Sequence, residues 1–349
     1  MEDRKQHTVD VKDLSERERQ VLLSIIEQYV ITAAPIGSRT LSKSTDLNLS
    51  PASIRNVMSD LEDRGLIGHP HTSAGRIPTD LGYRYYVNSM MQQNELNEQE
   101  RIFLESRFES DAPAAIHDLL RNSSQILSRI SQQLAIIAAP TLGNGVLHRL
   151  ELVQVASDKV MVILSIRSGI VKSIILHVHS EIDRDKLDYV AAMLNERLSG
   201  LTLQEIRETF VDRMRDSVDD KGGIIRLFID SSDRLFAERL ESDAVCIDGM
   251  ITMTQQPEFV DPQKMRGLIE LVENQHVIVH LLDTVSGGES VTIRIGREIE
   301  DHTLNDYSIV AAPYRFGQLS GAVSIIGPKR MNYPRMISIV EYLAKLMST

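Results

Sequence analysis

The chain has 349 residues, 42% of them hydrophobic, a formal charge of −11 and one cysteine, Cys246. That length accommodates two or three domains with their own cores, and a single cysteine excludes an internal disulfide framework and a cysteine-rich zinc site. No apolar run reaches the roughly 18 residues a membrane-spanning helix needs, and the polar start MEDRKQHTVD is no signal peptide, so a cytoplasmic protein is expected.

Residues 1 to 12 form a polar lead. Ser15 and Glu18 make a capping box, and Leu22, Ile25, Ile26, Tyr29 and Val30 recur at helical spacing, which predicts a first helix ended by Pro35. Ser38 is expected to cap a short second helix through about Ser44, with Leu41 inward and Arg39 and Lys43 outward. Ser50 and Pro51 then open a third helix, whose inward stripe is Ile54, Val57, Met58 and Leu61 and whose left-handed stop is Gly65. Its other side carries Ala52, Asn56 and Ser59, flanked by Ser53 and Arg55. Small, hydrogen-bonding residues at an N-terminal end suit insertion into a DNA major groove, although a capped surface helix would read the same way in isolation.

The next stretch decides between those readings. Leu66 to Pro70 and Arg76 to Pro78 read as two arms of a hairpin around His71, Thr72, Ser73, Ala74 and Gly75, with Gly75 expected to supply a positive φ. Imidazoles at His69 and His71, hydroxyls at Thr72 and Ser73 and the guanidinium of Arg76 suit phosphate and groove contacts. Thr79 caps a fourth helix with Tyr83, Tyr86, Val87 and Met90 inward. Three helices, a hairpin and a closing helix make a winged helix. Up to Met91 there are 11 Lys and Arg against 12 Asp and Glu, so the acidic excess lies in the remainder. Arg39, Lys43, Arg55, Arg76 and Arg84 are expected on one face, where they permit DNA binding without demonstrating it.

The stretch SPASIRNVMSDLEDR followed by GLIGHPHTSAGRIPTDLGYRYYVN resembles the bacterial heat-inducible transcription repressor HrcA family, most specifically in the PHTSAGR-x-PT-x-x-GYR-x-YV pattern of residues 70 to 87. The resemblance extends more weakly along the rest of the chain in length and domain order. It implies repression of chaperone operons at an inverted-repeat operator, CIRCE, by a homodimer that the chaperonin keeps competent. It also implies a GAF-like domain carrying an inserted segment that contributes to dimerisation.

Beyond Glu95 the charged run EQERIFLESRFES reads as an exposed connecting helix to Ser110, and Pro113 opens a second helix to about Ala139. These couple the modules or merely space them. Leu150 to Ala156, Lys159 to Ile166 and Ile170 to Val178 read as strands, followed by a helix from Asp183 to Leu198. Within Gly200 to Gln256, two helical stretches hold Ile206, Phe210, Met214, Ile225, Phe228, Leu235 and Phe236, and Val245 to Ile247 with Ile251 to Met253 suggest a small hairpin. So short an insertion needs a surface for its apolar residues, either a second copy or its own body. Pro262 to Glu273 reads as a helix, His276 to Val285, Val291 to Glu298, Tyr307 to Ala312 and Ala322 to Ile326 as strands, and Pro334 to Met347 as the last helix. The expected class is a multidomain α+β protein with an antiparallel sheet and helices on one side. The domains are 1–92 (winged helix), 93–145 (connecting helices, the second packing on the GAF-like domain), 146–199 and 257–349 (GAF-like), and 200–256 (inserted dimerisation segment).

No metal, cofactor or catalytic set is expected. The pairs His69 and His71, and His177 and His179, lack a third ligand at useful spacing, and neither G-x-S-x-G nor H-E-x-x-H occurs. The expected DNA contacts are Arg39, Lys43, Ser50, Ala52, Ser53, Arg55, Asn56, Ser59, His69, His71, Thr72, Ser73 and Arg76. The competing expectation is a winged-helix regulator that senses a small molecule in the GAF-like domain.

Overall fold

Three of the first four helices begin where their capping side chains dictate; the second instead has its expected cap, Ser38, as its first helical residue, with the Gly37 carbonyl accepting the Leu41 amide. In α1 (Glu16–Thr32) the Ser15 hydroxyl accepts from the Glu18 amide while the Glu18 carboxylate takes the Ser15 amide, and Ala33 ends the helix in the left-handed region. Helix α2 (Ser38–Ser44) and helix α3 (Pro51–Asp63) follow, and Gly65 at φ 74° turns the chain out of α3. Strands β1 (Ile67–Gly68) and β2 (Ile77–Pro78) pair antiparallel, and Thr79 caps α4 (Asp80–Ser89). The computed structural model describes residues 14–44, 47–70, 75–92, 95–110, 116–178, 183–215, 224–237, 245–286, 288 and 290–348.

Helix α5 (Glu98–Ser110) leads to α6 (Ile116–Ser131), and the expected opener Pro113 lies outside the described residues. The helix expected to reach Ala139 stops at Ser131. Gln132 adopts φ 57°, and Leu134–Ala138 is a strand, β3, buried along its whole length. A continuous apolar run of five residues has no period of its own, so only its neighbours decide its form. Here they are β10 on one side and β7 on the other.

Strands β4 (Leu147–Ala156), β5 (Lys159–Ile166) and β6 (Val171–His177) form a three-stranded antiparallel sheet. Helices α7 (Arg184–Leu198), α8 (Leu203–Met214), α9 (Ile224–Asp230) and α10 (Ser232–Leu235) follow. Ile206, Phe210, Met214, Ile225, Phe228, Leu235 and Phe236 share one core with Val160, Val162, Leu164, Ile174 and Leu176 of the sheet. These apolar residues therefore need no second copy to bury them. The strand pairing also joins β4–β6 to these helices rather than to the larger sheet, so the boundary drawn at residue 200 cuts through one core.

Strand β7 (Val245–Asp248) pairs with β3, not with 251–253 as expected. Gly249 at φ 97° turns the chain instead into helix α11 (Met250–Thr254). Helix α12 (Pro262–Glu273) is as expected, but His276 to Val285 lies in helix α13 (Gln275–Ser286) rather than in a strand. Its buried residues Ile278, Leu281, Leu282 and Val285 stand at i, i+3, i+4 and i+7, one stripe of a helix. Strand β8 (Thr292–Ile295) is shorter than expected and gives way to a 3-10 turn at Gly296–Glu298. Strands β9 (Tyr307–Phe316) and β10 (Leu319–Pro328) form a hairpin at Gly317, and α14 (Tyr333–Met347) closes the chain. The larger sheet runs β7-β3-β10-β9-β8, all antiparallel. Helices cover both of its faces. Ile137, Val323 and Ile325 share a core with α6 and α14, whereas Ile136, Ile309 and Ile326 face α12 and α13.

Candidate nucleic-acid interface

Helix α3 is pinned at its start. The Ser50 hydroxyl accepts from the Ser53 amide at 3.1 Å and lies 3.0 Å from the Ser53 hydroxyl, while Pro51 gives up no needed donor. Ile54, Val57, Met58 and Leu61 anchor one face in the core, which leaves Ala52, Arg55, Asn56 and Ser59 exposed and Ser53 half-buried. Helix α2 packs against α3 and presents Arg39 and Lys43, one turn apart and both exposed. Among the described residues, the side chains of Arg39, Lys43, Arg55 and Asn56 have no hydrogen-bond or ion-pair partner within the chain. The result is a capped helix N-terminus whose dipole and exposed hydrogen-bonding side chains stand beside the Arg39, Lys43 and Arg55 charges, a combination that attracts phosphate oxygens.

The hairpin is bolted to α3 rather than left to swing. Arg76 exchanges backbone hydrogen bonds with Ile36, both at 2.8 Å, adding a third chain beside the ribbon. Gly75 is not in a positive-φ conformation. A Cβ there would come within 2.6 Å of the Ile36 carbonyl oxygen, so the glycine serves close approach and not turn geometry. Glu62 gathers two of the expected DNA ligands. His69 Nδ1 lies 2.6 Å from one carboxylate oxygen, and Arg76 donates to the other at 2.9 Å through Nε and 2.7 Å through a terminal nitrogen. Partial burial pushes the Glu62 carboxyl up, but the hydrogen bonds from His69 and Arg76 and the Arg76 charge outweigh it and hold the group below its ordinary value. Arg76 and His69 thus brace the hairpin through Glu62. His71, Thr72 and Ser73 lie outside the described residues.

Arg84, expected on the DNA-facing side, points the other way. It donates to Glu298 at 2.7 Å and to the Ile293 carbonyl at 2.8 Å, both in the body of the chain. Asp80, one helical turn earlier, takes Lys329 at 2.7 Å and the Arg297 amide at 3.2 Å. Helix α4 therefore docks the front module on the larger sheet. Sequence reading missed Glu62, Asp80 and Arg84 as organisers, because the partners of Glu62 lie 7 and 14 residues on, across the hairpin, and those of Asp80 and Arg84 more than 200 residues away, where no local spacing signals them. The strand pair His177 and His179 cannot be compared, since His179 lies outside the described residues.

A helical module with an open, polar helix end, docked on a separate body of helices and antiparallel sheets, has the build of a transcription regulator. The family described as "HrcA protein C terminal domain" matches residues 117–337. Heat-inducible transcription repressor HrcA of Chlorobium phaeobacteroides is 42% identical over 345 residues, covering 96% of this chain and 98% of the relative. The protein of the same name from Chlorobaculum tepidum is 41% identical over 353 residues, covering 97% and 98%. A crystal structure described as that of a hypothetical protein at 2.2 Å resolution superposes with a TM-score of 0.62 at 25% identity, over 96% of this chain and 98% of that one. The chain belongs to the HrcA family of heat-inducible transcription repressors, and it is accordingly a regulator and not an enzyme.

Proposed function

We propose that this chain represses chaperone-operon transcription as a homodimer that grips an inverted-repeat, CIRCE-like operator through paired winged helices in the cytoplasm, with chaperonin support. The observation that carries the reading is the N-terminal end of α3, where Arg55 and Asn56 stand exposed and, among the described residues, unpartnered beside Arg39 and Lys43. Arg suits guanine and Asn suits adenine through two hydrogen bonds each, a discrimination of about 1–3 kcal/mol per pair. Ser50, Ala52, Ser53 and Ser59 complete the groove face. Arg39 and Lys43 hold the phosphates, along with His71, Thr72 and Ser73.

In this reading residues 14–92 are the winged helix, the five-stranded sheet with its helices is the GAF-like domain, and the unit around β4–β6 and α7–α10 is its insertion. The outer face of the three-stranded sheet favours self-association. Val153, Val155, Val171 and Ile175 are 40% to 59% exposed there, whereas the uncovered face of an antiparallel sheet is ordinarily polar. Ile31, Ile251 and Val260, each more than 70% exposed, are surface of the kind a chaperonin retains.

The test is a binding series over operator variants and salt concentrations. Asn56→Ala should relax base preference at one position of each half-site, and Arg39→Ala should weaken all sequences alike and flatten the salt slope by about one ion. Identical behaviour of the two variants would reject the assignment.

A further inference from the structure

Two kinds of contact join the front module to the body. One is apolar: Tyr83 of α4 packs on Tyr333 of α14, ring centroids 5.8 Å apart. Such contact holds surfaces together but is indifferent to small rotations. The other is directional. Asp80 and Arg84, a turn apart on α4, form one line of contacts with Lys329, the Arg297 amide, Glu298 and the Ile293 carbonyl. Gly296, at φ 54°, is seated so tightly under Asp80 that any Cβ there would overlap the carboxylate. At the end of α1, Arg330 donates to the Val30 carbonyl at 3.1 Å while its other nitrogens hold Glu258. Anchors on two different helices fix rotation as well as position.

We infer that Asp80 and Arg84 are positioning residues for operator binding: they set the angle of the front module on the body, and hence the half-site spacing the dimer accepts. This rests on the proposed dimer reading. The geometry makes spacing sensitive to that angle. Half-sites one DNA turn apart put each recognition helix about 17 Å from the two-fold axis. A pivot of about 10° about the α4 contacts, which lie about one to two helix diameters (about 10–20 Å) from the recognition helix, moves that helix by about 2–3.5 Å, and the two-fold doubles this to about one to two base-pair steps of 3.4 Å. Charged hydrogen bonds supply the stiffness that apolar packing lacks.

The experiment uses the full chain with Lys329→Glu combined with Arg84→Gln, and Lys329→Arg as the conservative variant. Binding is measured on duplexes whose half-site centres are moved by one or two base pairs, and on a duplex carrying one half-site. The parent protein should lose about tenfold or more in affinity at the shifted spacings. The double variant should lose this preference, keep its single-half-site affinity, and show a broadened distance distribution between spin labels at exposed positions 20 and 263. Lys329→Arg should restore the parent curve. An unchanged spacing curve and an unchanged label distribution in the double variant would overturn the inference, as would an equal loss on every duplex. If the parent ignores inverted repeats altogether, the dimer reading fails, while the label distances still report whether the contacts fix the angle.

Discussion

Replacing Gly82 by alanine should unfold the front module at a markedly lower temperature, although the same change in most helices is stabilising. Alanine is favoured over glycine inside a helix by about 1 kcal/mol. At Gly82, however, a Cβ would collide with the carbonyl oxygen of Leu66, an atom that also accepts from the Thr79 amide at 3.1 Å. The obstacle is backbone, so no side chain can turn aside. Relieving the overlap costs about 1–3 kcal/mol in shifted backbone, and the loosened Leu66–Thr79 bond costs about 1 kcal/mol more. The clash wins by about 2 kcal/mol, which for a unit of 60–100 residues lowers the midpoint by about 8–16 °C. The control is Gly68→Ala, whose Cβ would meet only the Thr79 methyl at an ordinary 3.7 Å. Thermal unfolding followed by tyrosine fluorescence, with Tyr85 and Tyr86 buried in the module and Tyr83 buried against Tyr333, reads the transition. Equal midpoints for the two variants would refute the close-approach account of α4 against the ribbon.

Three further outcomes are expected. Because the Glu62 carboxyl is held below its ordinary value of 4.5, its clamp on His69 and Arg76 stabilises the module fully above that value and is lost as pH falls below it. Midpoints measured from about pH 3 to pH 7 should show Glu62→Gln removing part of the acid sensitivity, and parallel curves would contradict this. Phe210→Ala, which empties a fully buried site against Phe236 at a 5.1 Å ring separation, should cost about 3–5 kcal/mol in urea unfolding. Ile175→Lys, on the uncovered face of the three-stranded sheet, should leave the unfolding midpoint nearly unchanged while lowering the apparent mass toward one chain in sedimentation; a persistent dimer would move the interface elsewhere.

The legible parts of the sequence were those with local physical punctuation. Ser15 with Glu18, Ser50 with Pro51, and Thr79 mark helix starts by chemistry that acts within three residues, and the helices begin there. The outward set on α3 follows from the same local period. What went unread depended on distant partners. Leu134–Ala138 is a strand only because β7 and β10 flank it. The stretch 276–285 fits a strand if Val277, Val279 and Leu281 are chosen, and a helix if Ile278, Leu281, Leu282 and Val285 are; the sheet beneath it selects the second. Arg84 and Arg76 looked like exposed cations because Glu298 and Glu62 lie 214 and 14 residues away in sequence. Charge counts cannot tell a free guanidinium from a paired one, and that distinction separates Arg39 and Arg55 from the other two.

The most direct check is the stoichiometry of the full chain on a palindromic duplex at low ionic strength, measured by sedimentation with labelled DNA. Two chains per duplex, falling to weak binding when either half-site is scrambled, is the result expected from paired α3 helices. A single chain per duplex, or indifference to the palindrome, would contradict it.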